Sequence, residues 1–176
     1  MSADLAYPIG PFEAPAVISA AAREEFVGEI AAAPAALRKA VEGLDDRQLD
    51  TPYRPGGWTV RQVVHHLPDS HLNAYVRFKL ALTEEEPTIR LYDEGEWARL
   101  PEASSGPVSL SLDLLGALHR RWLACIRALP APSFERTFRH PELGVMSLNR
   151  QLALYAWHGR HHVAHITALA AREKWA

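Results

Sequence analysis

Four histidines fall within eight residues of one stretch, Tyr155-Ala156-Trp157-His158-Gly159-Arg160-His161-His162-Val163-Ala164-His165. Residues four apart share a helix face, so on a helix His158 pairs with His162 and His161 with His165. Two imidazoles so placed can converge on one divalent ion, each nitrogen about 2.0–2.1 Å from it. At about 100° per residue, His158, His162 and His165 share one narrow sector with Leu148, Leu152, Tyr155, Ile166 and Leu169. His161 lies to one side of that sector. The pair aimed at a core is therefore His158/His162, with His165 one turn further on. Gly159 stands where the zinc-protease pattern H-E-x-x-H needs its glutamate, so that reading fails.

A tight site needs a third ligand from another helix, and His65-His66 is the available doublet. Gln62, His66, Asp69 and Asn73 align on one side of that helix. The alignment favours His66 and leaves His65 as the alternative. Asp69, one turn from His66, is the candidate general base or the carboxylate that orients a ligand. Asp93, Glu94 and Glu96 are weaker candidates, each read first as solvated surface. Arg54, Trp58 and Arg61 are candidates to flank an anionic substrate, and Tyr155 and Trp157 read as core.

These side chains need long helices to hold them. Phe26, Ile30, Leu37 and Val41 recur at helical spacing over residues 19–44, and Pro34 inside that segment predicts a kink or short break. The segment DDRQLDTPYRPGG (45–57) reads as punctuation. A second helix opens at Thr59, whose capping box with Gln62 satisfies two orphan backbone N–H groups. Val60, Val63, Val64, Leu67, Ala74 and Phe78 carry it to about Leu82, with a bend expected at Pro68. Residues 83–107 read as a long, mostly irregular connection, a length that often marks function. A third helix follows over 109–129 with Leu112, Leu115, Leu118, Trp122 and Ile126 inward. The segment PAPSFERTFRHPELGV predicts a short extended piece, and the fourth helix starts after its N-cap Ser147 and runs to about Arg172. The sum is an all-α, four-helix bundle in a single domain over 1–176, with residues 1–18 as an extended arm. Its long connections allow neighbouring helices to run parallel, so the topology need not be simple up-down-up-down.

Composition narrows the function classes. A net charge of −2 with no basic block argues against nucleic acid and anionic membranes as partners. The first ten residues lack the pattern of a signal peptide, and no run of about 18 apolar residues suggests a membrane span. The single cysteine, Cys125, fits a reducing cytoplasm and reads as a small core residue.

Several spaced blocks resemble one family in order: YPIG (7–10), DTPYRPGGWTVRQVVHHLPDSH (50–71), FKLALTEEEPTIRLYDE (78–94) and YAWHGRHHVAHI (155–166). They are similar to the YfiT-type metal-dependent hydrolases of the DinB-like superfamily. The resemblance covers nearly the whole chain. It implies a four-helix bundle of unusual topology, a homodimer, and one zinc or nickel ion per subunit held by His66, His158 and His162. It also implies that His65, His161 and His165 are not ligands. Pro68 departs from the family's pattern, where alanine is common.

Three histidine ligands leave a position for water or substrate, the pattern of a catalytic rather than a structural site. The expectation is a hydrolase that activates water against a small molecule. The alternative is a transferase that activates a low-molecular-weight thiol of the bacillithiol type, as relatives in the wider superfamily imply. A third reading of another class is a metal-stabilised bundle that acts by binding.

Overall fold

Three of the four long helices begin at a side-chain cap that the sequence spells out. In this computed structural model, which describes residues 4–175, α1 (Ala20–Ala40) starts where Ser19 Oγ accepts from the N–H of Ala22 at 3.1 Å. Residues 1–3 of the expected arm, and residue 176, lie outside the described residues. The segment after α1 holds one short helix, α2 (Asp46–Leu49), opened by a reciprocal Asp45–Gln48 capping box. The predicted Thr59–Gln62 box opens α3 (Val60–Thr83), with Thr59 N–H donating to Gln62 at 2.9 Å and Gln62 N–H donating to Thr59 at 3.2 Å.

The long connection after α3 is less irregular than its composition suggests. It folds into α4 (Glu94–Ala98) and α5 (Pro101–Ser105). Asp93 caps the first by accepting from Glu96 N–H, and Pro101 sits at the start of the second, where its missing N–H costs nothing. Helix α6 (Val108–Arg127) follows. The predicted extended piece is a two-stranded antiparallel hairpin, β1 (Thr137–His140) against β2 (Gly144–Ser147). It delivers the chain to α7 (Leu148–Glu173), capped by Ser147 at Arg150 N–H.

Both internal prolines are absorbed: α1 runs unbroken through Pro34, and α3 through Pro68.

Helix α1 packs against α6 and α7, and α3 packs against the same two, so α1/α3 and α6/α7 are the diagonals. Side-chain pairs give the directions. His65 meets Ser111 and His71 meets His119, rising together, so α3 and α6 run parallel. Arg23 meets Asn149 and Arg160 meets Glu29, so α1 and α7 are parallel as well. Across the other two contacts the numbering runs in opposite senses, as in Ile30–His119 with Arg38–Asp113, and Ser70–Tyr155 with Ala74–Gln151. This is a four-helix bundle with two parallel neighbour pairs. The α3–α6 pair is parallel because residues 84–107 carry the chain back along the bundle.

The core divides into two apolar halves. One gathers Ile30, Phe78, Trp122, Phe138, Leu148 and Leu152; the other gathers Leu37, Val63, Leu67, Leu115, Ile166 and Leu169. On α3, α6 and α7 the level between them is occupied by histidines: 66 and 71, 119, and 158 to 165.

Candidate metal centre

Helix α3 contributes His66 to this polar level and α7 contributes His158 and His162, one turn apart on the same face. One nitrogen from each ring lies within 4.8 Å of the others, the one such group of three among the described residues. His66 Nε2 and His158 Nε2 are 3.4 Å apart. Two ligands of a tetrahedral ion at about 2.0–2.1 Å stand roughly 3.3 Å from each other, so this edge already has the spacing a metal requires. His162 completes the group, its ring centroid 4.8 Å from that of His66 and 4.5 Å from that of His158; its buried Nδ1 has no protein partner, a state it shares with His161 and His165.

Burial keeps these rings neutral. It pushes His66 down to about 4, and holds His158 and His162 well below the usual histidine value, reinforced by the neighbouring histidines. A neutral imidazole has the free lone pair that a metal ligand needs.

The adjacent histidine is committed elsewhere. His65 Nε2–H donates to the Gly106 carbonyl at 3.2 Å, and its Nδ1 accepts from Ser111 Oγ at 2.7 Å. With both nitrogens used, His65 has nothing to offer an ion.

A cavity of about 480 Å³ opens onto the triad. Its walls are aromatic: Tyr7, Tyr53, Trp58 and Trp157, with Arg54 among them. Trp58 lies 4.7 Å from the His66 ring, centroid to centroid. The N-terminal arm forms a roof over the remaining two histidines of α7. His165 Nε2–H donates to the Ala6 carbonyl, Tyr7 covers His161, and Trp157 Nε1–H donates to the Gly10 carbonyl at 3.2 Å. Gly10 turns with φ +80°, a conformation that side chains resist. His161 is buried under Tyr7 of the arm and against Trp157, although its direction on α7 lies to one side of the core-facing sector. Trp157 is a half-buried cavity wall, not core.

A second cavity of about 610 Å³ reaches His158 from the other side, along Ser70, Arg77, Tyr92, Glu94, His140 and Tyr155. Glu94 and His158 line both cavities. Burial at that junction raises the Glu94 carboxyl, helped by Asp93 and Glu142, although much of the residue is exposed. Asp69 is half-buried on α3 and lines neither cavity. Burial pushes it up to about 6, with the charge of Glu102 on α5 adding to the shift. Glu96 lies outside both linings and pairs with Arg99.

Arg61 does not flank a substrate. It is 5% exposed and ties α3 to α2 through Asp46 at 2.7 Å and Asp50 at 2.6 Å, and it also donates to the Gly106 carbonyl. Its charge is spent inside the fold.

Sequence spacing gave no sign of His71 on α3 or His119 on α6. Both are buried behind the triad, and His71 Nε2 lies 3.2 Å from His158 Nδ1. His71 lies five positions after His66, and His119 is the one histidine of its helix, so neither forms a readable pair.

Comparison with known proteins supplies the relatives. A sequence model of the DinB superfamily matches residues 29–166. A protein of Oceanobacillus iheyensis, provisionally named a metal-dependent hydrolase, is 51% identical over 169 residues, covering 96% of this chain and 98% of its own length. A Bacillus cereus protein of the same provisional name is 53% identical over 172 residues, covering 98% of this chain and 99% of its own. Among solved structures, YfiT of Bacillus subtilis is described as a probable metal-dependent hydrolase with an unusual four-helix bundle topology. It superposes with a TM-score of 0.95 at 50% identity, covering 98% of this chain and 99% of that one.

Proposed function

The chain belongs to the DinB superfamily, and from that membership and the histidine triad we propose that it is a metal-dependent hydrolase of a small molecule. The observation that carries the reading is three imidazoles from two helices, converging at a cavity wall with no fourth protein ligand in the group. A closed structural site uses four protein ligands, whereas three leave room for chemistry. Imidazole donors suit zinc or nickel, at one ion per chain. Held there, the ion supplies Lewis acidity that activates water as a nucleophile near neutral pH.

The remaining work falls to the chain's own residues. The aromatic walls and Arg54 take a flat or apolar body carrying a negative group. Glu94, raised by burial and lining both cavities together with His158, is the first candidate to accept a proton from the nucleophile. Asp69, pushed up to about 6, is the second candidate for that role, although it lines neither cavity. Exposed apolar side chains on α3 (Leu72, Val76) and α6 (Leu110, Leu114) suit a second copy of the chain, so a homodimer belongs to this reading. No described helix is long and apolar enough to cross a membrane, and a cytoplasmic setting belongs to it as well.

Elemental analysis of untagged protein tests the centre. About one zinc or nickel per chain is expected, lost in His66→Ala, His158→Ala and His162→Ala; a wild-type chain that folds but takes up no ion would end the proposal. With the metal in place, Glu94→Gln is expected to cut turnover at least about 100-fold and Asp69→Asn much less. The reverse order would move the base to Asp69. Assaying esters and amides beside thiol transfer to an electrophile separates hydrolysis from thiol chemistry.

A further inference from the structure

A carbonyl in α1 lacks its helical partner. In an α-helix the carbonyl of residue i accepts from the N–H of residue i+4, and for Ile30 that residue is Pro34, which has no N–H. Ile30 is fully buried, so water cannot compensate. The carbonyl is taken instead by His119 Nδ1 of α6 at 2.7 Å. His119 Nε2 then lies 2.9 Å from His71 Nδ1, and His71 Nε2 lies 3.2 Å from His158 Nδ1. The chain of contacts crosses α1, α6, α3 and α7 and ends on a ring of the triad.

This chain has only one consistent direction. A carbonyl only accepts, so His119 Nδ1 must carry the proton. In a neutral ring the other nitrogen is then an acceptor, so His71 Nδ1 must donate to it. The same rule makes His71 Nε2 an acceptor and gives His158 Nδ1 the proton. His158 Nε2 is left with its lone pair, facing His66 Nε2 across 3.4 Å. The three rings are buried together, in an environment that favours the neutral form.

We propose that Pro34 frees the Ile30 carbonyl to anchor a histidine relay, His119–His71–His158, that fixes His158 in the tautomer whose Nε2 faces the metal. His71 and His119 are thus positioning residues, and the helix-interior proline is the origin of the polarity. Metal-bound histidines commonly donate their second N–H to an acceptor that orients the ring. Here the acceptor is a second imidazole, backed by a third and finally by a backbone carbonyl four residues before a proline. Gly159 permits this arrangement sterically. A Cβ there would sit 3.0 Å from Ala33 Cβ and 3.8 Å from His71 Cε1, so a side chain would press α7 away from α1 at this level.

The inference rests on the proposed metal site for its purpose, but the tautomers can be read without any metal. The test uses the full chain with 15N-labelled histidines, metal-free and then titrated with zinc against a competing chelator. Long-range proton–nitrogen spectra report which nitrogen of each ring carries the proton. The expected result is Nδ1–H for His119, His71 and His158 before zinc is added. In His119→Phe, His71 loses its acceptor, His158 is expected to populate the Nε2–H form, and zinc affinity to fall roughly 10- to 100-fold. His119→Gln, whose amide offers a donor and an acceptor on one plane, is expected to restore both. Nε2–H on His158 in the wild-type chain would overturn the relay. So would His119→Phe that leaves tautomer and affinity unchanged, or a folded His119→Gln that falls as far as His119→Phe. If the Phe variant does not fold, the wild-type spectrum and the Gln variant decide. Wild-type tautomers as expected with no zinc uptake would keep the relay and sink the metal site instead.

Discussion

The two apolar halves of the core and the histidine level between them are built from the same four helices, yet they are held by different forces. In each half, side chains such as Phe78, Phe138 and Leu152, or Leu37, Leu115 and Ile166, are fully buried within an apolar cluster. Their burial is worth about 25 cal/mol per Å² and has no direction. At the histidine level, burial works against the side chains. Each ring must find a partner or stay neutral, and partners are directional. His65 satisfies both nitrogens within the protein, His71 and His119 satisfy theirs through one another, His158 and the Ile30 carbonyl, and His161, His162 and His165 are each left with a buried Nδ1 unpaired. A bundle optimised for stability would fill this level with leucine. On the proposed reading, the level is polar because it serves an ion rather than packing.

That contrast can be broken by experiment. The largest effect on stability is expected in an apolar half: Phe78→Ala should cost about 3–5 kcal/mol in denaturant unfolding, while the folded fraction still binds one zinc per chain. Loss of zinc at equal residual folding would show that the two regions are not separable.

A smaller effect should appear with pH in the metal-free chain. Burial pushes His119 down to about 4, whereas in the unfolded chain it titrates near 6.5. Between those values the unfolded state binds more protons, so this stability is complete above about pH 6.5 and declines as pH falls towards 4. The loss from this one ring is on the order of 3 kcal/mol. Unfolding midpoints at pH 7.5, 6 and 5 measure it, and a flat profile in which His119→Gln makes no difference would refute the neutral buried ring.

The smallest effect, and the sharpest, is expected from Pro34→Ala. It returns an N–H to Ile30 and removes a helix-interior proline, so α1 should gain up to about 3 kcal/mol. The same change gives the Ile30 carbonyl a competitor for His119, so zinc affinity should fall by less than in His119→Phe. Stability and affinity moving in opposite senses is the signature; both rising together would separate the proline from the site.

Much of this was legible in residue order because it depends on local rules. Thr59–Gln62 and Ser147 announced two helix starts, and helical spacing alone brought His158 and His162 to one face. The expectation that neighbouring helices could run parallel is met by α3/α6 and α1/α7. The short helices α4 and α5 were missed although Asp93 and Pro101 signalled them, because a proline- and acid-rich segment reads first as loop. Arg61 looked like a free cation, since no sequence rule reveals that Asp46 and Asp50 return to it.

The sequence by itself determined the four long helices, their apolar faces and the histidine pair of α7, all of which follow from backbone periodicity and capping within a few residues. Only the tertiary structure decided which of His65 and His66 faces the pair, that the N-terminal arm roofs His161 and His165, and that Pro34 on α1 is linked to His158 on α7 through two other helices. Those choices depend on which helices are neighbours and in which direction they run. Helix packing sets that, and no spacing along the chain encodes it.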